Sequence, residues 1–362
     1  MSYAGVTFPR RDPADFGPEV KRRVAAYFSE RHLSDKANGS MIAKTIILLG
    51  GTLVSYLLIL SNRVPVWGML GLTVVMGIGI AGLGFCVAHD ALHGAYSNRP
   101  AVNRALGLVF DLLGANGYMW KITHNVIHHT YTNIHGIDED LSVSPLLRLS
   151  PDAPRRPFHR WQQWYALPAY SVSTLFWVFV KDYKYFLAKD LGPYKDRTHP
   201  GSEIAILIVT KALYYTWSII IPLAVLQVAW WQFAIGFLVM HLVAGTILGV
   251  VFQLAHVVGN TEYPVPDATG TMDSAWMVHE MRTTADFGRG NPLLNWYVGG
   301  LNFQVEHHLF PRVCSVHYPA ISPIVEQVAL ECGVPYHAAP TFRAAVGSHL
   351  SMLKQLGAPL AA

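Results

Sequence analysis

Three long stretches of this sequence contain no Asp, Glu, Lys or Arg, and they restrict the fold more than any other feature. They run from Thr45 to Asn62, from Val64 to His89 and from Ala212 to Thr261. A helix that crosses a bilayer needs about 20 predominantly apolar residues. The first two stretches each match one such helix, with a turn at Arg63. The third is too long for one helix and predicts two, with a turn at residues 229–232, where two tryptophans suit a membrane–water interface.

The composition also favours a membrane protein. Charged residues make up 14% of the chain, whereas a soluble domain usually contains about 25%. The predicted fold is therefore an all-α integral membrane protein with four transmembrane helices in two hairpins. Residues 104–120 and 164–180 are also apolar, so a six-span arrangement is the alternative. Because Asp111 and Pro168 interrupt these two segments, we expect helices that pack at the membrane interface.

The distribution of basic residues predicts how the chain is oriented. Nearly all Lys and Arg lie in the N-terminal segment, in the connection over residues 90–203 and in the C-terminal tail. Short segments rich in Lys and Arg stay on the cytoplasmic side of a membrane. Both termini and the long connection are thus expected in the cytoplasm. The basic N-terminus has no apolar core or cleavage site, so no signal peptide is expected.

We divide the chain into a cytoplasmic segment over residues 1–40, a membrane domain over 41–350 and a tail over 351–362. The first segment predicts a short amphipathic helix after Pro18, with Val20, Val24, Ala25 and Phe28 on one face.

The chain contains three scattered cysteines. They are too few for a disulfide framework or a structural zinc site, and they fit a reducing compartment. No nucleic-acid partner is expected.

Histidines cluster in three short boxes that lie on the predicted cytoplasmic side. These are HDALH at 89–93, HNVIHH at 124–129 and QVEHH at 304–308. Histidines four residues apart on a helix share one face. One such pair is a weak signal, but three groups on one side of the membrane predict a metal site. Imidazoles suit Zn, Cu, Fe or Ni, and seven box histidines are too many for one zinc ion and suit two ions.

The three boxes, in this order and separated by paired hydrophobic spans, resemble those of the membrane fatty acid desaturase family. The resemblance covers about residues 40–350. It implies that these helices enclose a non-haem di-iron centre held by histidines, with O2 as co-substrate and two electrons used to form a double bond in an acyl chain. The implied metal ligands, which are also the expected catalytic residues, are His89, His93, His124, His128, His129, His307 and His308.

Two further residues extend this expected site. His256 ends the fourth span, where the resemblance implies a histidine that completes the metal shell. The alternative is an interfacial histidine that caps helix carbonyls. Gln304 lies in GGLNFQVEHHLFP, which resembles the front-end branch that desaturates between an existing double bond and the carboxyl end. We expect Gln304 to be a weak neutral ligand or to hold a water on the metal. His241, deeper in the same span, predicts an interhelical hydrogen bond.

Carboxylates near the boxes are candidates for orienting the imidazoles. A metal-bound histidine usually donates its other N–H to an acceptor, often a carboxylate. We expect this role for Asp138 and Asp140 in the sequence IDED, with a solvated acidic loop as the alternative. Asp90 and Glu306, inside the boxes, are further candidates. Four other histidines fit no ligand spacing and are expected to be structural or on the surface: His135, His159, His279 and His317.

The electron donor and the acyl carrier are less constrained. THPGS at 198–202 is similar to the haem motif of cytochrome b5, but Ser202 replaces its last glycine and no soluble domain surrounds it. We therefore expect a turn here and a separate donor of the ferredoxin or cytochrome b5 type. The acyl group could be carried by CoA, a carrier protein or a membrane lipid. A hydroxylase or other oxygenase on the same scaffold is the alternative function, and a non-catalytic lipid- or metal-binding membrane protein is another.

Overall fold

The structure, a computed structural model, describes residues 5–141 apart from Arg11 and Pro13, and residues 145–359. The outermost parts of the predicted N-terminal segment and tail, residues 1–4 and 360–362, lie outside the described residues. The predicted all-α fold is confirmed. In the described part of the chain, the named strands are β1 (Ala285–Phe287) and β2 (His337–Ala339), which pair in parallel.

Four helices are long and apolar enough to cross a membrane, which confirms the predicted two hairpins. They are α2 (Gly39–Leu60), α3 (Val66–Leu92), α9 (Gly201–Val225) and α10 (Trp230–His256). Glycines allow close contact between them, as is usual for helices in a membrane. A methyl group on Gly77 of α3 would lie 2.6 Å from the carbonyl oxygen of Met240 in α10.

The remaining helices lie before, between and after these hairpins. In chain order they are α1 (Phe16–Glu30), α4 (Pro100–Leu112), α5 (Gly117–Trp120), α6 (Gln162–Ser171), α7 (Ser173–Phe176), α8 (Asp182–Leu187), α11 (Trp276–Thr283), α12 (Pro292–Tyr297), α13 (Gln304–Leu309), α14 (Tyr318–Cys332) and α15 (Phe342–Gly357). π-helical turns at Lys121–His128 and Trp177–Lys181 extend α5 and α7, and another at Gly84–Ala88 lies within α3.

The charge-free stretch predicted that the third span begins at Ala212, but the span begins at Gly201. Lys211 comes directly before the charge-free stretch, but it is buried inside α9, where its charge is paired. Its Nζ donates to the Asp182 carboxylate at 2.8 Å and to the carbonyl oxygens of Gly114 and Val178 at 2.6 and 2.9 Å. A buried charge that is paired and hydrogen-bonded is tolerated, so a lysine does not mark the end of this helix.

The segment 164–180, predicted to pack at the membrane interface, lies against α10. Thr174 donates to the carbonyl oxygen of His241 at 2.9 Å. His241 lies fifteen residues, about 22 Å, before the end of α10 that carries His256. Gly245, between these two histidines, leaves room for the backbone of Ser171.

The segment 104–120, predicted to be helical, forms two helices, α4 and α5. Asp111 ends the first piece, because its buried carboxylate accepts hydrogen bonds from Gly117 N at 3.2 Å and Asn116 Nδ2 at 3.3 Å.

The interhelical hydrogen bond predicted for His241 is confirmed. Its Nε2 lies 2.6 Å from the Tyr214 hydroxyl on α9.

The predicted amphipathic helix is present as α1, but it begins at Phe16, before Pro18. Phe16, Val20 and Val24 are buried against α14 and α11, while Ala25 faces solvent. α1 thus covers one helix before the third histidine box, α11, and one after it, α14. The three cysteines are free, as their number predicted.

Candidate metal centre and acyl cavity

All three histidine boxes and the end of α10 meet at one place, so segments more than 200 residues apart in the sequence form a single buried site. The first box ends α3, the second lies on the π-helical turn after α5, and the third lies on α13. π-Helical turns within α-helices are frequent at functional sites. The eight predicted imidazoles divide into groups whose ring nitrogens lie within 4.8 Å of one another.

The first cluster contains four buried imidazoles, His89, His93, His124 and His307. The rings of His89 and His93 are 4.6 Å apart, which is the contact expected for residues four apart on a helix. His307 approaches from α13, with its ring 4.5 Å from that of His89.

The second cluster contains His128, His256 and His308, all buried. The ring of His256 lies 4.6 Å from that of His128 and 4.9 Å from that of His308. His129 lies between the clusters and groups with His307 and His308. Its ring is 4.5 Å from His307 and 4.4 Å from His308.

The hydrogen bonds of these imidazoles fit metal coordination. In five of them Nδ1 has a hydrogen-bond partner, while Nε2 is buried with no partner among the described residues. Both ring nitrogens of His129 are also buried without a partner. Buried polar groups are normally hydrogen-bonded, so this many unpaired nitrogens at one point fit a site that can hold a metal cation. The five are His124, His128, His256, His307 and His308.

Burial also keeps these rings in the form that binds metals. Burial and the neighbouring imidazoles lower the pKa of His93, His129 and His307 well below the usual value for histidine. A neutral imidazole has a free lone pair, whereas the protonated ring has none. The rings of His93, His129 and His307 are therefore neutral donors for a metal.

Two of the four predicted carboxylates contact imidazoles as expected. Asp138 Oδ2 lies 3.0 Å from Nδ1 of His128, and Asp140 Oδ2 lies 3.4 Å from Nδ1 of His124. The IDED sequence is thus not a solvated loop at these positions. Asp140 also accepts from Lys181 at 3.4 Å, and this buried ammonium offsets its charge.

The other two predicted carboxylates have different partners. Asp90 Oδ2 accepts from Ser315 N, the Ser315 hydroxyl and the Cys314 thiol. Its other oxygen is 3.6 Å from His89 Nδ1, too far for a hydrogen bond. Glu306 contacts no imidazole, because its carboxyl group is 2.9 Å from the Tyr336 hydroxyl. Burial and the neighbouring Asp286 raise the pKa of Glu306 well above its usual value.

Two acceptors of the third box were not predicted from the sequence. Glu280 Oε2 lies 2.7 Å from Nδ1 of His308, and it also accepts from the Thr132 hydroxyl at 2.8 Å. The Tyr318 hydroxyl lies 3.3 Å from Nδ1 of His307. Glu280 is completely buried in α11. The one signal in the sequence is an acidic residue inside an otherwise apolar helical turn, in WMVHEM.

The histidines that fit no ligand spacing lie outside the clusters. Three have structural hydrogen bonds to backbone carbonyls: His159 to Pro145, His279 to Thr132 and His317 to Lys36. His135 is half-buried in the turn that precedes Asp138. This agrees with the prediction that these residues are structural or on the surface.

An apolar cavity of about 300 Å³ reaches the first cluster. Gln304, His307, His89 and His124 form its polar end, and α6, α7 and α10 provide most of its apolar wall. Gln304 is 4% exposed and shares a helix face with His307, three residues later. Leu146 and Val172 also line the cavity but are 53% and 43% exposed, so the cavity reaches the outer surface of the helices there.

The chain belongs to the fatty acid desaturase family, because the model of that family matches residues 65–340. It is similar to the sn-1 linoleoyl-lipid 6-desaturases of Arthrospira platensis and Synechocystis sp., each 37% identical over 344 residues. These alignments cover 94% and 93% of this chain, and 92% and 94% of the relatives. The acyl-lipid (8-3)-desaturase of Physcomitrium patens is 34% identical, over 95% of this chain and 72% of that protein. The protein is therefore a membrane-bound fatty acid desaturase, an oxidoreductase.

Proposed function

We propose that this protein is a front-end acyl-lipid desaturase whose active centre holds two iron ions. The observation that carries the proposal is the meeting of eight imidazoles with an apolar cavity that reaches four polar side chains of that site. The relatives named above are desaturases of acyl lipids. This favours desaturation over hydroxylation on the same scaffold.

The proposed ligands are His89, His93, His124 and His307 for one ion and His128, His256 and His308 for the other, with His129 between them. When bound, the two irons would supply O2 activation and the two-electron oxidation of the acyl chain. The donor set suits iron, since nitrogen ligands accept it readily and zinc has no redox chemistry.

The protein then has three tasks, which are to orient the imidazoles, to exclude water and to position the acyl chain. Asp138, Asp140, Glu280 and the Tyr318 hydroxyl accept from Nδ1 atoms and so hold the rings with Nε2 turned inward. The apolar cavity excludes water and holds one carbon–carbon bond near the polar end. This positioning matters, because an error of about 1 Å can reduce a rate about 100-fold.

The shape of the cavity favours a substrate that resides in the bilayer. Its wall includes Val172, on the segment that packs beside the membrane-spanning helix α10, and Val172 is 43% exposed. An acyl chain of a membrane lipid could pass into the cavity from this side without leaving the hydrocarbon. We propose a glycerolipid-type acyl carrier on this ground and a separate ferredoxin or cytochrome b5 as the electron donor.

The function is tested by expressing the chain in a host that lacks desaturases and analysing its lipids by mass spectrometry. A new double bond on the carboxyl side of an existing one is expected in acyl chains esterified to lipids. A hydroxylated product would instead support the oxygenase alternative. A product found only on acyl-CoA would contradict the proposed acyl carrier.

Gln304 is expected to be essential although it is not an imidazole. It is buried beside His307 at the polar end of the cavity. Gln304→Ala should therefore remove most activity while the protein still folds. Gln304→Glu should also fail, because a negative charge beside the metals would change their redox balance. Near wild-type turnover of Gln304→Ala would contradict this role. Iron content should be measured on each variant.

The proposed orientation predicts a labelling pattern for single cysteines. Cysteines at the exposed positions Lys21, Asp152 and Leu330 should react from the cytoplasmic side, and those at Arg63 and Gln227 only from the other side. Cys332 is partly exposed and must first be replaced by serine. Labelling of Asp152→Cys and Leu330→Cys from opposite sides would contradict the orientation, because the histidine boxes could not then meet.

A further inference from the structure

Residues 146–167, beside the exposed side of the acyl cavity, carry a surplus of positive charge. This segment, here called the mouth surface, has one acidic residue, Asp152, and four arginines: Arg148, Arg155, Arg156 and Arg160. Helix α15 packs against it, because the end of α15 at Gly357 meets the carbonyl group of His159. No acidic residue occurs in α15, so this neighbour does not offset the charge.

Hydrogen bonds hold the arginine-rich turn against the mouth of the cavity. Leu146 lines the cavity and is half exposed, and its carbonyl oxygen accepts from the Tyr165 hydroxyl at 2.8 Å. The buried ring of His159 connects the two parts of the segment. Its Nδ1 accepts from Arg156 N at 3.0 Å, and its Nε2 donates to the carbonyl oxygen of Pro145 at 3.0 Å. The arginines therefore have a fixed position relative to the cavity.

The positive charge of the mouth surface is not paired with carboxylates. Arg148 and Arg155 donate to backbone carbonyl oxygens of α15 at 2.6 and 2.9 Å. Arg156 and Arg160 are exposed, and the guanidinium group of Arg160 lies 4.9 Å from the centre of the Trp161 ring. These partners carry no net charge, so the guanidinium groups can still attract an anion.

The packing of the next helical turns places the mouth surface level with the end of a membrane span. The chain runs antiparallel to α10 here, since Tyr170 lies against Gly249 and Thr174 against His241. Trp164 lies six residues before Tyr170, about 9 Å along the helix axis. This places Trp164, which is 74% exposed, beside the end of α10 that carries the second cluster. Exposed tryptophans are typical of the membrane–water interface, where lipid headgroups lie.

We propose that the mouth surface binds the headgroup of an anionic glycerolipid and brings its acyl chain to the cavity, so that anionic lipids are the preferred substrates. The inference rests on the proposed function, since it takes a lipid-borne acyl chain as the substrate. Arginine suits this role because its planar group can donate two parallel hydrogen bonds to a phosphate. The exposed tryptophans beside the arginines favour a membrane lipid over an acidic soluble protein as the occupant.

The test compares two lipids with identical acyl chains, anionic phosphatidylglycerol and zwitterionic phosphatidylcholine. The purified protein is equilibrated with an equimolar mixture in detergent, and the retained lipids are measured by mass spectrometry. One basic residue near an anionic lipid surface contributes about 1 kcal/mol, or about fivefold in binding. Arg156→Gln/Arg160→Gln should therefore lower the retained ratio of anionic to zwitterionic lipid about tenfold or more. The ratio of new double bonds in the two lipids should fall similarly.

Two further measurements separate charge from other effects. Arg156→Lys/Arg160→Lys keeps both charges and should retain most of the preference for the anionic lipid. High salt should weaken the preference of the wild type, because it screens exposed charges. Both arginines are exposed, so neither pair of substitutions should prevent folding.

Arg31→Gln/Arg63→Gln is the matched control, because it removes two exposed arginines elsewhere. Arg31 lies over the Tyr27 ring at 4.9 Å, the same distance as for Arg160 and its tryptophan. The control should keep the lipid ratio within twofold of wild type. An equal fall in the control, or an unchanged ratio in the glutamine variant of the mouth surface, would overturn the proposal.

The measurements also distinguish the other occupant and the other failure. Equal loss of turnover on both lipids with an unchanged retained ratio would identify the mouth surface as a docking site for the electron donor, and would overturn the lipid proposal. Lipid retention needs no turnover. A retained ratio that changes as expected in a protein that forms no double bond would therefore refute the proposed function and leave the headgroup site supported.

Discussion

Replacing His128 by alanine is expected to abolish desaturation. His128 is buried at 1% exposure, its Nδ1 is held by Asp138, and its unpaired Nε2 belongs to the second cluster with His256 and His308. Without this imidazole the second proposed iron would lose one of three closely placed donors, and a centre whose two ions act together would then lack one of them. Anaerobic loading with Fe(II) should give about two irons per chain in the wild type and about one in the variant. His307→Ala should be as inactive.

The matched controls are histidines that lie outside both clusters. His135→Ala should retain most activity and iron, because its ring belongs to neither group. His317→Ala should do the same, since its ring contacts the carbonyl oxygen of Lys36 at 2.9 Å and no cluster residue. Equal losses of iron in the control and cluster variants would refute the ligand assignment, and full activity in His128→Ala would do so directly.

The second large effect is expected at Glu280, which touches no substrate and acts through His308. Its Oε2 is 2.7 Å from Nδ1 of that ring, and neither side chain is exposed. Loss of such an acceptor typically costs 10- to 100-fold in metal affinity or activity. Glu280→Leu should therefore weaken iron retention by about that factor in a chelator competition. Glu280→Gln keeps an acceptor oxygen and should lose less.

Glu326 provides the control for this prediction, because it is an exposed glutamate paired with Arg289 at 2.9 Å. Glu326→Gln should leave iron retention unchanged, since exposed ion pairs contribute little. A general loss of stability would lower thermal unfolding temperatures in both metal-free and metal-loaded Glu280→Leu. The predicted positioning role instead lowers mainly the metal-loaded value. Wild-type iron retention in Glu280→Leu would show that the acceptor is not needed.

The sequence predicted the imidazoles better than their hydrogen-bond partners. Spacing of four residues on a helix is visible in the sequence, and it correctly brought His89 and His93 to one face. Contacts between distant segments leave no such pattern in the sequence, so the hydrogen bond between Glu280 and His308 could not be predicted. Glu306 contacts no imidazole for a similar reason, because its partner, the Tyr336 hydroxyl, comes from a segment that no spacing in the sequence places beside it.

The same limit applies to the membrane spans. Long charge-free stretches predicted four spans correctly, because an unpaired charge is costly in hydrocarbon. They misplaced the start of the third span, since a charge paired with a distant segment looks the same in the sequence as one that faces water. The packing of residues 164–180 against α10 was not predicted for the same reason. It depends on the fit of Ser171 against Gly245, which is a contact between two helices.

The paired Lys211 also has a consequence for how this protein is made. On insertion scales, a lysine near the centre of a helix disfavours membrane entry by about 2.5–3.5 kcal/mol. Asp182 precedes Lys211 in the chain, so the partner is already synthesised when this helix leaves the ribosome. The fourth span follows after a short turn, and its mean hydropathy of 2.3 exceeds the 1.8 of the third. The third span is therefore expected to enter the bilayer together with its neighbours, as one unit, and to remain unstable there until Asp182 pairs with Lys211.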